Sequence, residues 1–120
     1  MSRPAYLTRR EAARARGVSV MQITRQVQAG KLPALVLRTG LFRIEARAVQ
    51  ANAPDALPLG LPPLITTTWM AEHWRVHERT VHRLVHDKVL PAHLISGRWG
   101  MARREWCAWV QDHTYGEDLP

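Results

Sequence analysis

The chain writes one plan twice, and that constrains its fold more than any other feature. Leu32-Pro33-Ala34 recurs as Leu90-Pro91-Ala92, a shift of 58 positions from Pro33 to Pro91. The same shift lays Thr8 on Thr66, Ala13 on Ala71, Val18 on Val76, Ile23 on Val81, Arg25 on Arg83 and Val27 on Val85. Beyond the Leu-Pro-Ala step the register slips by one residue. Gly40, Phe42, Ile44, Arg47 and Val49 then meet Gly97, Trp99, Met101, Arg104 and Trp106. The matched positions are mostly apolar or turn-forming, so the repeat is that of a core and its turns. A single lost residue reads as a change of hairpin loop.

Between the copies lies "ANAPDALPLGLPPL", residues 51–64, with four prolines and almost no charge. It reads as a linker, semi-rigid where the prolines cluster, whose leucines dock on one or both copies. The expected organisation is a first domain over residues 1–50, this linker over 51–64, a second domain over 65–113 and a tail over 114–120. At 120 residues two domains must both be small, and an apolar content of 46% supplies cores for them.

Charge divides the copies. Lys and Arg number 17 against 10 acids. Residues 1–57 hold ten of the basic residues and three acids, a net of +7, while residues 58–120 hold seven of each. All six histidines and all five tryptophans fall in the second half. A basic first half is the footprint of a phosphate-rich partner. No apolar run is long enough for a membrane span and the N-terminus lacks a signal-peptide core, so a cytoplasmic, nucleoid-associated protein is expected. The lone Cys107, in "REWCAWV", reads as a structural thiol. His73/His77 and His82/His86 have the i, i+4 spacing of metal ligands, but nothing nearby completes a set. No nucleophile with an adjacent base and no phosphate-cradling glycine loop is evident, so no enzyme, cofactor, metal site or small-molecule ligand is expected.

Each copy spells the same local structure. Thr8 precedes Glu11 in a capping-box pattern and Gly17 ends a short helix. Ser19 caps a second helix, "VMQITRQVQ", that stops at Gly30; "LPALVLRTGLFRI" reads as two strands around Thr39-Gly40, and "EARAVQA" as a short third helix. In the second copy the helices are "TTWMAEHW", "ERTVHRLVHD" and "RREWCAWVQDH", with the hairpin in "AHLISGRWGMA". There Arg75 stands for the turn glycine, His77 for the capping serine, Trp69 for the box glutamate and Lys88 for Gly30.

Helix, tight turn, helix and two-stranded wing make a winged helix-turn-helix, and the expected fold class is mainly α with small β-hairpin wings, two such domains in tandem. "LTRREAARARGVSVMQITRQVQAGKLPALVLRTGLFRI" resembles the small excisionase and MerR-like DNA-binding domains. "MAEHWRVHERTVHRLVHDKVLPAHLISGRWGMARREWCAWV" resembles the same family, most closely in "RTV", "LPA" and the Gly-Arg-Trp wing. The resemblance implies a sequence-selective binder of double-stranded DNA serving recombination directionality or transcription, its second helix in the major groove and its wing on the flanking backbone. It implies DNA contacts from Ser19, Val20, Met21, Gln22, Thr24, Arg25 and Gln28, with Arg38, Thr39 and Arg43 on the wing. In the second copy the matching residues are Glu78, Arg79, Thr80, His82, Arg83 and His86, with Ser96 and Arg98 on the wing. Gln22 suits adenine, Met21 or Val20 a thymine methyl, and Arg79 guanine. Two alternatives accompany this reading. In one, the first copy holds DNA while the second binds a protein, such as a recombinase or polymerase, or the chain itself. In the other, the chain is a phage packaging recognition subunit.

Overall fold

Helices begin where the sequence supplies caps. The Thr8 hydroxyl accepts from the Glu11 N–H (3.2 Å) while the Glu11 carboxylate accepts from the Thr8 N–H (2.9 Å). This reciprocal pair satisfies donors that the first helical turn leaves open. Helix α1 (Arg9–Arg16) follows, and Gly17 closes it in the left-handed region at φ +71°. Ser19 and Gln22 form a second box (3.1 and 2.9 Å) ahead of α2 (Val20–Gln28). A short strand, β1 (Tyr6–Leu7), precedes α1, and β2 (Ala34–Arg38) and β3 (Leu41–Glu45) form the hairpin after α2. The computed structural model describes residues 3–116.

The second half repeats the order: β4 (Leu64–Thr66), α3 (Thr67–Trp74), α4 (Glu78–His86), β5 (His93–Ile95) and β6 (Arg98–Ala102). Strand β1 pairs with β3, and β3 with β2; likewise β4 pairs with β6, and β6 with β5, all antiparallel. The buried positions repeat too. Leu7 and Ile65, Ala12 and Met70, Ala13 and Ala71, Ile23 and Val81, Leu32 and Leu90, and Ile44 and Met101 are all buried at matched places. An α-helical period on the helices and a period of two on the strands deliver these side chains to one core per unit.

The copies differ in how they close. "EARAVQA", expected as a third helix, forms only a 3₁₀ turn at Ala46–Ala48. Its apolar side chains are small, and they give a helix little to bury. The matching segment forms α5 (Arg103–Asp112), which presents Trp106, Trp109 and Val110 at i, i+3 and i+4. The two tryptophans meet Trp74 of α3, which stacks on Trp106 at 6.1 Å and tilts against Trp109 at 5.6 Å between ring centroids. Trp69 meets Trp106 edge-on at 5.2 Å. Aromatic burial thus strengthens the copy whose caps are weaker: Thr66 caps α3 without a box, and His77 caps α4 with no side-chain bond.

A mainly α molecule was expected; the structure is a mixed α and β fold with five α-helices and two small antiparallel sheets among the described residues. The difference lies in three short strands that sequence periodicity does not mark. Two of them lead into the capping threonines: β1 ends one residue before Thr8 and β4 ends on Thr66. The third, β7 (Thr114–Tyr115), lies in the expected tail and pairs with β2 (Ala34 opposite Tyr115, Leu35 opposite Thr114). Residues 117–120 of that tail, and residues 1–2 of the first expected domain, lie outside the described residues.

Two compact units result. One runs through Ala56 and takes up the chain again at His113; the other spans Leu57–Asp112. The linker expected over 51–64 is divided between them. Ala53 joins the first core, and Asp55 pairs with Arg47. Leu61 is buried, its carbonyl accepts from the Arg103 guanidinium (2.8 Å), and the Pro63 carbonyl accepts from the Arg103 N–H (2.9 Å). Leu59 stays almost fully exposed.

The one-residue slip in the repeat is not a change of loop. Both hairpins turn on two residues, Thr39-Gly40 and Ser96-Gly97. The extra residue is Leu37, where the register between β2 and β3 shifts. Val36 therefore faces Phe42 as Leu94 faces Trp99.

Candidate nucleic-acid interface

In the first unit the start of α1, the start of α2 and the hairpin turn enclose an open cleft of about 420 Å³. It is lined by Thr8, Arg9, Arg10, Val20, Gly40, Leu41, Phe42 and Arg43. Three of these lining residues are arginines. Arg9 is held in place: its guanidinium lies 5.2 Å from the Phe42 ring centroid and reaches the Thr24 hydroxyl at 3.4 Å. Thr24 is itself fixed by donating to the Val20 carbonyl (3.1 Å). The Arg43 guanidinium donates to the Phe42 carbonyl (3.1 Å). A pre-ordered guanidinium loses less freedom on meeting a phosphate oxygen than a free one.

The residues expected from sequence divide into three groups here. Val20 and Arg43 line the cleft, and Thr24 braces it through Arg9. Met21, Arg25 and Gln28 form an exposed stripe along α2 at i, i+4 and i+7, with the Arg25 guanidinium 3.6 Å from the Met21 sulfur. Arg38 and Thr39 are exposed at the hairpin turn. Ser19 and Gln22 are spent locally: the Gln22 side-chain oxygen accepts from the Ser19 N–H and caps α2.

The second unit has the matching cleft, about 620 Å³, lined by Thr66, Thr67, Thr68, Trp69, Glu72, Glu78, His82, Gly97, Arg98 and Trp99. Its charge is inverted, with two glutamates against one arginine. Glu78 accepts from the Thr68 hydroxyl (2.9 Å) and lies 3.5 Å from the His82 ring nitrogen, which is also 3.5 Å from the Thr67 hydroxyl. Basic groups sit instead on the outer stripe of α4, where Arg79, Arg83 and His86 match Met21, Arg25 and Gln28. Thr80 matches Gln22 but follows a cap without a side-chain bond. Ser96 and Arg98 lie at the hairpin turn, with Ser96 at φ +51°.

Sequence reasoning missed Arg9, Arg10 and Phe42. The pointer was present in "LTRRE": two arginines directly after the capping Thr8 occupy the first turn of α1, beside the start of α2. It also missed Glu72 and Trp69 of the second cleft. Among the described residues no group of three His, Cys, Asp or Glu side chains is placed to hold a metal ion, and no helix is long and apolar enough to cross a membrane. Comparison with protein-family models, curated proteins and solved structures gives no match to this chain.

Proposed function

We propose that the chain is a sequence-selective double-stranded DNA-binding protein, built as two tandem winged helix-turn-helix units and acting in recombination directionality or transcriptional regulation. The observation that carries the reading is the cleft of the first unit, where Arg9, Arg10 and Arg43 converge beside the exposed stripe of α2. On this reading the cleft arginines neutralise backbone phosphates while Met21, Arg25 and Gln28 meet base edges. In the second unit the basic stripe of Arg79, Arg83 and His86 would make the equivalent approach.

A second reading is favoured by one observation: Glu72 and Glu78 face the second cleft where the first has arginines. Carboxylates there repel phosphate, which suits a unit that binds protein while the first holds DNA.

Selection from a random duplex pool with the full chain at near-physiological salt tests both. An enriched bipartite motif, with one half lost on Arg25→Ala and the other on Arg83→Ala, supports two DNA readers. A single short motif insensitive to Arg83→Ala supports the split role. Arg9→Ala is expected to weaken binding evenly across sequences and to lower the salt slope by about one. Binding without enrichment and without salt dependence would defeat the proposal.

A further inference from the structure

The two sheets are built alike but end differently. In the first unit the outer edge of β2 is covered by β7, and the Val36 N–H donates to the His113 carbonyl at 2.9 Å. In the second unit the matching strand β5 ends its sheet, and among the described residues no strand lies beyond it. Leu94 holds the position of Val36, since each stands opposite the aromatic residue of its hairpin. With a two-residue loop, Ile95 and Arg98 form the closing hydrogen-bonded pair, so Leu94 and Trp99 form the next, non-hydrogen-bonded pair. The N–H and C=O of Leu94 therefore point away from β6, out of the sheet.

Sheet edges that must stay single are commonly guarded by lysine, proline or a covering segment. This one carries His93, Leu94 and Ile95, all exposed. Leu94 is 60% exposed, and Trp99, its neighbour on the same face, is 40% exposed. We propose that this edge is a self-association surface, on which β5 of a second copy pairs antiparallel about a two-fold axis at Leu94.

A second copy fits because the edge is complementary to itself. Centred on Leu94, the N–H of each strand meets the C=O of the other, and both outward groups are satisfied reciprocally. On one face the row becomes Trp99, Leu94, the partner's Leu94 and the partner's Trp99, apolar throughout, with no charge that would need an opposite partner. The first unit supplies the precedent, since its own version of this edge is closed by an antiparallel strand. A three-residue strand makes a small contact, so the dimer belongs at the weak end of protein association.

The test is sedimentation velocity of the full chain, without DNA, from micromolar to millimolar concentration. It is independent of the DNA-binding reading. The wild-type chain is expected to pass from monomer to dimer across that range. Leu94→Pro deletes the outward N–H and leaves the bonds to β6 intact; Leu94→Lys puts a charge in the apolar row. Both are expected to remain monomeric at every concentration. Circular dichroism and tryptophan fluorescence check the fold, and if Leu94→Pro fails to fold, Leu94→Lys alone decides. A wild-type chain that stays monomeric overturns the proposal and leaves the edge to an extended segment of another protein. A dimer that survives Leu94→Lys also overturns it, by placing the contact elsewhere.

Discussion

Lys88 and Arg75 take backbone conformations that the first copy gives to glycine. Their φ angles are +61° and +57°, against +75° at Gly30 and +71° at Gly17. A Cβ in this region costs about 1 kcal/mol or more, partly offset by the lower entropy of the unfolded chain. Lys88→Gly is therefore expected to stabilise the second unit by about 0.5–1 kcal/mol. All five tryptophans lie in that unit, so a urea titration followed by their fluorescence reads it, and an unchanged or lower midpoint would contradict it. Tyr6 makes the opposite kind of residue-level statement. Burial, and secondarily the charge of Glu45, push its phenol well above the ordinary tyrosine value. The folded state therefore favours the neutral form. That contribution is complete below the unfolded pKa near ~10 and is lost as pH rises past it. Stability is expected to fall above about pH 10, and Tyr6→Phe should flatten the fall; equal slopes for the two proteins would show that Tyr6 is not the group responsible.

At the scale of elements, the copies solve one packing problem with different means. The first starts both helices with reciprocal boxes and needs only small side chains after its hairpin. The second lacks those boxes and anchors α5 on an aromatic cluster. Backbone contacts are correspondingly close there. A Cβ placed on Gly100 of β6 would lie 2.6 Å from the Ile65 carbonyl oxygen of β4, so glycine sets the approach of those strands. Helices, turns and hairpins were legible in the sequence because each is specified within a few residues: Thr8 with Glu11, Ser19 as a cap, Gly40 and Gly97 at turns. The short strands were not legible. Tyr6-Leu7 and Thr114-Tyr115 are two residues each, too brief to show alternation, and they exist because a distant strand offers them hydrogen bonds. The cleft was half legible. Val20 and Arg43 could be placed from the helix and wing pattern, whereas Arg9 enters only because the fold lays the start of α1 beside β3.

At the scale of the whole molecule, the chain leaves the first unit at Ala56 and returns to it at His113. The first unit is completed by residues that follow the second, through β7 and through Gly116, whose backbone lies so close to Pro33 that a Cβ would stand 2.5 Å from the proline Cα. A chain ending at Asp112 is expected to lose this edge. Hydrogen exchange reads it at Val36, whose amide should exchange about tenfold faster once the His113 carbonyl is gone. Unchanged protection would mean that β7 adds nothing to the sheet. The same view explains the charge asymmetry. The excess of +7 in residues 1–57 gathers partly in the first cleft, while the balanced second half sets glutamates in its cleft and arginines on α4.

By itself the sequence determined the duplication, the helix–turn–helix–hairpin order of each copy, the matched core positions and the basic character of the first copy. These are local or periodic properties, written in caps, turns and apolar spacing. Only the tertiary structure decided which arginines share a cleft, that Leu37 rather than a loop absorbs the register slip, and that the C-terminal residues close the first sheet while β5 stays open. The cleft and the sheet edges depend on hydrogen bonds or charges between residues far apart in the chain, and the bulge at Leu37 on which cross-strand pairs form; no periodicity along the sequence records which group a backbone N–H will meet.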